Sequence, residues 1–264
     1  MAAVHAMNYL TKVKKVVIVG GGTAGWMAAA ALSNAFGTTK KIILIESDAI
    51  GTVGVGEATI PAVKSFNKLL GIDETEFMRN TQGTFKLGIE FVNWGAIGDR
   101  YIHGFGFVGQ ATQALPFHHF WLRLEQAGKV EPLEAFSINT VAAPLGKFMP
   151  ARPDMAGSPM ADISHAYHFD ASMYAKFLRG YAEQRGVVRT EGKIAQVTQR
   201  EPDGFIDAVV LESGERIEGE LGVDIGSKAN DRGLEGRLGR AIDAISIALT
   251  ETTDAATVDK LTGV

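Results

Sequence analysis

The sequence predicts an α/β chain that opens with a Rossmann-like, dinucleotide-binding β-α-β unit. Three observations predict it. Lys14 to Val19 is a β-branched apolar run, the pattern of a parallel strand buried on both faces. Gly20-Gly21-Gly22-Thr23-Ala24-Gly25 follows at once and fits G-x-G-x-x-G. An alanine-rich stretch, Thr23 to Phe36, then reads as a helix, with Ala24, Ala28, Ala31 and Leu32 at helical spacing. Lys41 to Ile45 supplies the second buried strand, and its crossover from the first is expected to be right-handed.

The glycine motif has the context its chemistry needs, between a strand and a helix. Gly20 suits a tight turn, Gly22 a close approach of backbone to a pyrophosphate, and Gly25 close packing of helix on sheet. The helix start at Thr23 and Ala24 offers free peptide N–H groups to phosphate oxygens. Glu46 ends the second strand, where a carboxylate can accept from both ribose hydroxyls and would repel a 2′-phosphate. This points to FAD or NAD over NADP, and the motif alone does not choose between them.

Residues 51 to 61, GTVGVGEATIP, form a second glycine-rich loop. It reads either as a second cofactor contact or as an ordinary connection in which Glu57 caps the next helix. Pro61 suits the first turn of a helix through Leu70, and Asp73 to Arg79 begin another. Phe85 to Trp94 alternates as one half-buried strand: Phe85, Leu87, Ile89 and Phe91 face one way, Lys86, Gly88 and Glu90 the other. On spacing alone Lys86 is a solvated lysine, paired with Glu90 on its own face. Residues 101 to 165 are loop-rich, with a helix at Phe117 to Gln126. Asp170 N-caps a helix through Gln184, and Gly186 ends it. Strands follow near 187–191 and 193–199, then a hairpin of 205–211 and 215–220 around Glu212-Ser213-Gly214.

Composition excludes several classes. The net charge of −4 and the absence of a basic patch argue against a nucleic-acid partner. The chain has no cysteine, which rules out disulfides and thiolate sites and suits a cytoplasmic location. Glycines interrupt the apolar run from Val16 to Leu32, so no membrane span is expected. His118, His119, His165 and His168 show no metal-ligand spacing, and no metal is assigned.

Several segments together resemble the flavin-dependent tryptophan halogenases. They are Gly20 to Trp26, Gly54 to Pro61, Phe85 to Trp94, His103-Gly104-Phe105-Gly106, Phe120-Trp121-Leu122-Arg123 and Tyr167-His168-Phe169-Asp170. The likeness runs in order from about residue 14 to 221. It implies the FAD-binding fold of the glutathione-reductase/hydroxybenzoate-hydroxylase type, with FAD used as FADH2 from a separate flavin reductase. Halide and a small aromatic, indole-like substrate are the other reactants. The implied contacts to FAD are Gly20, Gly22, Thr23, Ala24, Gly25, Glu46, Gly54, Gly56, Glu57, Ala58 and Ile194. In the family's reaction, hypohalous acid made at the flavin travels to a lysine that presents the halogen to the substrate. Lys86 matches that lysine. Hydrogen bonding to hypohalous acid and formation of a chloramine both remain open for it. His103 and Phe105 match positions that line the indole pocket. A homodimer is a further expectation. The alternatives are a flavin monooxygenase or reductase without halide chemistry, and an FAD-binding fragment without catalysis.

The likeness has limits. Halogenases of this family are about twice as long and carry a Trp-x-Trp-x-Ile-Pro motif, which this chain lacks. After Leu221 the family's apolar strand gives way to Gly222-Val223-Asp224-Ile225-Gly226-Ser227. The expected organisation is therefore an N-terminal extension (1–13), a truncated FAD-binding domain (14–225) with a loop-rich, partial substrate region at about 95–165, and a divergent tail (226–264). A frameshifted end, a natural truncation and an engineered junction each account for that tail. Ala241 to Leu249 reads as a short amphipathic helix within it.

Overall fold

A computed structural model describes residues 13–50, 56–113, 115–201, 206–219 and 221–224. The N-terminal residues before Val13, Gly54 with its neighbours 51–55, and the tail from 225 with its expected helix lie outside the described residues. In chain order the strands are β1 (Lys15–Val19), β2 (Lys41–Glu46), β3 (Gly56–Ala58), β4 (Thr84–Lys86), β5 (Gly88–Val92), β6 (Arg100–Gly104) and β7 (Ala166–Asp170). They continue with β8 (Val188–Glu191), β9 (Ile194–Gln199), β10 (Ile206–Leu211), β11 (Arg216–Glu218) and β12 (Leu221–Asp224). The helices are α1 (Thr23–Phe36), α2 (Ala62–Leu69), α3 (Glu74–Thr81), α4 (Phe117–Gln126), α5 (Ile138–Ala142) and α6 (Ala171–Glu183). No helix among the described residues is long and apolar enough to cross a membrane.

The chain divides into two compact units. The first holds the described residues up to Glu57, then Asn67–Gln82, and everything from Phe169 onward; the second holds Ala58–Phe66 and Gly83–His168. The sequence places the inserted region at about 95–165; the second unit begins earlier and also takes in 58–66.

The first unit is built on a parallel sheet in the order β12-β1-β2-β8. Alternation sets its two faces. Val17, Ile43 and Ile45 pack against Val209, Leu211 and Ile217 of the antiparallel sheet β11-β10-β9. Val16, Ile18, Ile42 and Leu44 are buried as well, on the opposite face, where α1 lies. Helix α1 buries Thr23 through Ser33 without a break, so it is a core helix with no polar stripe. That explains its high alanine content: small side chains let neighbours come close on every side. Helix α6 packs along α1, and Thr23 Oγ1 donates to the Ala171 carbonyl at 3.1 Å. Phe77 of α3 meets Phe169 and Tyr174 edge-on, at 5.4 and 5.3 Å between ring centroids. Asp170 caps α6 through the N–H groups of Ser172 and Met173, at 2.8 and 2.9 Å. Val13, expected in the N-terminal extension, is buried, and its carbonyl accepts from Lys40 Nζ at 2.7 Å. Gly222 to Asp224, where the family pattern breaks off, still pair in parallel with β1.

The second unit differs most from the sequence expectation. Phe85 to Trp94 is not one strand. Its first part, β4, pairs antiparallel with β7 (Phe85↔Tyr167, Lys86↔Ala166). Its second part, β5, pairs antiparallel with β6 (Ile89↔His103, Glu90↔Ile102). The break falls at Leu87, whose carbonyl accepts from Phe105 N–H at 2.8 Å and from Asn139 Nδ2 at 2.9 Å. The expected faces are lost with it: Phe85 is exposed, while Lys86 and Leu87 are both buried. Strand β6 and helix α5 were hidden within the loop-rich stretch. Glu57 stands on β3, ahead of α2.

Gly25 is where helix and turn meet most closely. A Cβ there would lie 1.8 Å from the Gly20 carbonyl oxygen, a backbone atom that cannot swing aside. Gly25→Ala is expected to cost about 1–3 kcal/mol of stability by overpacking. Its thermal midpoint, followed by circular dichroism, should fall below that of the wild type; an unchanged midpoint would show that the turn can give way.

Candidate functional site

In the first unit the phosphate-binding geometry is present in backbone. Gly20 has φ +108°, a conformation that side chains other than glycine rarely adopt, and its N–H donates to the Ile45 carbonyl at 2.9 Å. Gly22 is the N-cap of α1 and gives no side-chain cap, and the first turn holds no acidic residue. A Cβ at Gly22 would meet nothing, so the space over the helix N-terminus is open. The N–H groups at Thr23 and Ala24 therefore keep the anion-binding character of a helix start. These residues fit a dinucleotide pyrophosphate.

Glu46 sits beside this turn and is already engaged. Its Oε1 accepts from Arg189 Nε at 2.5 Å, and Arg179 Nη1 stands 3.6 Å from the same oxygen. Its Oε2 accepts from Trp26 Nε1 at 3.4 Å. The carboxylate lies directly over Gly21, where a Cβ would come within 1.5 Å of Oε2 and 2.4 Å of the Glu46 Cβ. The middle glycine of the motif is thus required by the acid at the end of β2. Hydrogen bonding to Glu46 raises the Arg189 guanidinium above its ordinary pKa. Arg189 also binds Asp48 and Glu191, both at 2.6 Å. Sequence reading missed Arg189 and Arg179, because more than a hundred positions separate each from Glu46. Ile194 begins β9 and packs, partly buried, against the cluster that includes Val17 and Ile43. Gly56 and Glu57 stand on β3, and Ala58 closes it.

In the second unit the structure brings Lys86 and Phe105 together. Lys86 is 7% exposed, and its Nζ donates to the Thr59 carbonyl at 2.9 Å. The same Nζ lies 5.5 Å from the centroid of the Phe105 ring, itself 6% exposed. A carbonyl dipole and an aromatic face thus replace part of the hydration that the ammonium gives up. The solvated-lysine reading is overturned. Glu90 bonds Arg100 Nε at 2.6 Å instead, on the exposed β5–β6 hairpin. His103 lies on β6 opposite Ile89 and is exposed.

The surroundings of β4 are aromatic and locked. Phe85 stacks on Phe148 at 3.8 Å, and both meet His165 edge-on. His165 is buried, and its Nδ1 lies 3.2 Å from Lys64 Nζ. Asn139, also buried, donates both to the Leu87 carbonyl and to the Ser164 carbonyl at 2.5 Å. Sequence reading misses Thr59, because its role comes from a backbone carbonyl.

Three comparisons bear on this arrangement. A family model for tryptophan halogenase matches residues 15–256. Tryptophan 7-halogenase RebH of Lentzea aerocolonigenes is 37% identical over 229 residues, covering 81% of this chain and 42% of that protein. Tryptophan 6-halogenase ThaL of Streptomyces albogriseolus is 36% identical over 230 residues, with the same two coverages. Among solved structures, BrvH, a flavin-dependent halogenase from Brevundimonas sp. BAL3, superposes with a TM-score of 0.73 at 43% identity, over 81% of this chain and 42% of that one. The chain therefore spans about two fifths of the length of the relatives it matches.

His168 faces Thr84 across β4 and β7. Partial burial of its ring, and then the charge of Lys86, hold its imidazole below the ordinary histidine pKa. The unfolded chain thus takes up this proton first, so His168 subtracts stability as pH falls through about 6.5. A titration of the His168 ring protons by NMR should show a lowered midpoint. Lys86→Met should move that midpoint part of the way back up, since burial remains. A midpoint unmoved by Lys86→Met would show that the ammonium does not reach the imidazole.

Proposed function

The chain belongs to the tryptophan halogenase family, and from that premise we propose that it halogenates an aromatic, indole-like substrate with Lys86 as the catalytic residue. The family is flavin-dependent, and its cofactor is FAD, used as FADH2. The overall reaction balances as FADH2 + O2 + halide + ArH + H+ giving FAD + ArX + two waters. A separate flavin reductase supplies FADH2.

The observation that carries this reading is the burial of Lys86. A lysine on a half-exposed strand would be drawn to water or to Glu90. This one is held inside, against a carbonyl and an aromatic ring. Reduced FAD with O2 and halide supplies the oxidising equivalent as hypohalous acid when the cofactor is bound. The remaining work falls to protein groups. Gly20, Gly22 and Gly25 shape the turn, and the N–H groups at Thr23 and Ala24 receive the pyrophosphate. Glu46, fixed by Arg189, keeps acceptor capacity for a ribose hydroxyl, since a carboxylate offers about four lone-pair sites. The resemblance assigns Gly54, Gly56, Glu57, Ala58 and Ile194 to the flavin as well.

Lys86 donates a hydrogen bond to the oxygen of hypohalous acid, which makes the halogen more electrophilic and fixes its direction. The Thr59 carbonyl and the Phe105 face hold the amine in place for this role. His103, exposed on β6, and Phe105 are the residues the reading gives to the substrate ring. Phe105 also turns its face to Lys86, 5.5 Å from Nζ.

A second reading follows from the share of the relatives that is covered: a flavin-binding half that needs further polypeptide before it halogenates. One assay separates the two. The protein is incubated with a flavin reductase, FAD, NADH, bromide and tryptophan or indole. The first reading expects a product with bromine's paired isotope signature. The second expects a yellow, flavin-bound protein and no such product. Lys86→Ala should abolish bromination while leaving the bound-flavin spectrum unchanged. Persistent bromination in that variant, or loss of flavin with the lysine, would overturn the role given to Lys86.

A further inference from the structure

We propose that Thr59 is a positioning residue for Lys86: its side chain locks onto Tyr167, and this lock aims the Thr59 carbonyl that holds the Lys86 amine. The inference deepens the reading above and rests on it.

The geometry supports a clip of three bonds between two residues. The Thr59 N–H donates to the Tyr167 carbonyl at 3.0 Å. The Thr59 Oγ1 donates to the same carbonyl at 2.9 Å. The Tyr167 N–H donates back to Thr59 Oγ1 at 3.2 Å. Thr59 is 4% exposed and Tyr167 2% exposed, so water cannot stand in for any of these groups. The clip leaves the Thr59 carbonyl to accept from Lys86 Nζ at 2.9 Å.

Register ties both ends to one strand. Tyr167 lies opposite Phe85, and Ala166 lies opposite Lys86. The residue that carries the amine and the residue whose carbonyl receives it are therefore both fixed to β7. An amine on a four-carbon stem has many rotamers. A carbonyl held against the same strand selects among them. A serine in place of Thr59 keeps this hydroxyl, and a valine of the same shape removes it.

The test reads the amine directly, without turnover. The full chain is treated with acetic anhydride at fixed pH, and acetylation of Lys86 is followed by mass spectrometry, with exposed Lys68 as the internal reference. Wild-type Lys86 should label far more slowly than Lys68. Thr59→Val should raise the relative rate for Lys86 by about tenfold or more, since both bonds that its hydroxyl makes to Tyr167 are lost. Thr59→Ser should stay within about twofold of wild type, since it keeps the hydroxyl that makes both bonds. Should Thr59→Val fail to fold, Thr59→Ala removes the same hydroxyl without the branched bulk. In the bromination assay Thr59→Val should lower kcat with KM nearly unchanged, because an aim is lost and not a substrate contact. Unchanged Lys86 labelling in the valine and alanine variants overturns the proposal. So does a serine variant that behaves like valine. Bromination that survives Lys86→Ala defeats the function reading instead, and leaves the labelling result standing.

Discussion

An ammonium taken out of water must be given something in place of its hydration, and the second unit is organised around that requirement. Lys86 is a buried cation with a carbonyl at 2.9 Å and an aromatic face at 5.5 Å from its Nζ. Each partner is itself pinned. The Thr59 carbonyl is steadied by the bonds to Tyr167, and Phe105 by its N–H on the Leu87 carbonyl. Asn139 then secures Leu87 from the other side. Removing any of these supports would leave the charge buried with a poorer partner, which is more costly than a plain lost contact.

The first unit meets a related problem of crowding around negative charge. Glu46 is drawn toward the glycine turn and held by Arg189, which also gathers Asp48 and Glu191. Four charged groups thus meet at the ends of β2 and β8. Gly21 makes the approach possible by having no side chain at the place the carboxylate occupies. The turn and the acid are therefore one feature, although the motif reads as glycines first and an acid far downstream.

Local signals in the chain were enough for the first unit's framework. The β-branched run, the glycine turn, the alanine-rich helix and the Asp170 cap each depend on neighbours within a few residues, and each forms where expected. The turn at Glu212 to Gly214 behaves the same way. What was not legible depends on distant partners. The alternation from Phe85 to Phe91 is a faithful strand signal, yet it cannot say that Tyr167 claims one end and His103 the other. The chain must then switch sheets at Leu87, and Lys86 turns inward. Arg189 on Glu46 and Thr59 under Lys86 were invisible for the same reason. Their meaning is created by register between strands, and Thr59 acts through a backbone atom that every residue possesses.

Helix α4 has a different relation to the rest of the molecule. None of its ten residues is buried, and Phe120, Leu122 and Leu124 are all exposed. It is shorter than the roughly 12–15 residues at which an isolated helix becomes even marginally persistent in water. Trp121 Nε1 reaches the Glu131 carbonyl at 2.9 Å and ties this segment to the turn that follows. A helix so little rewarded by packing can open without disturbing the core. Its amides belong among the first to exchange with deuterated solvent, on a timescale set by local fraying and far ahead of global unfolding.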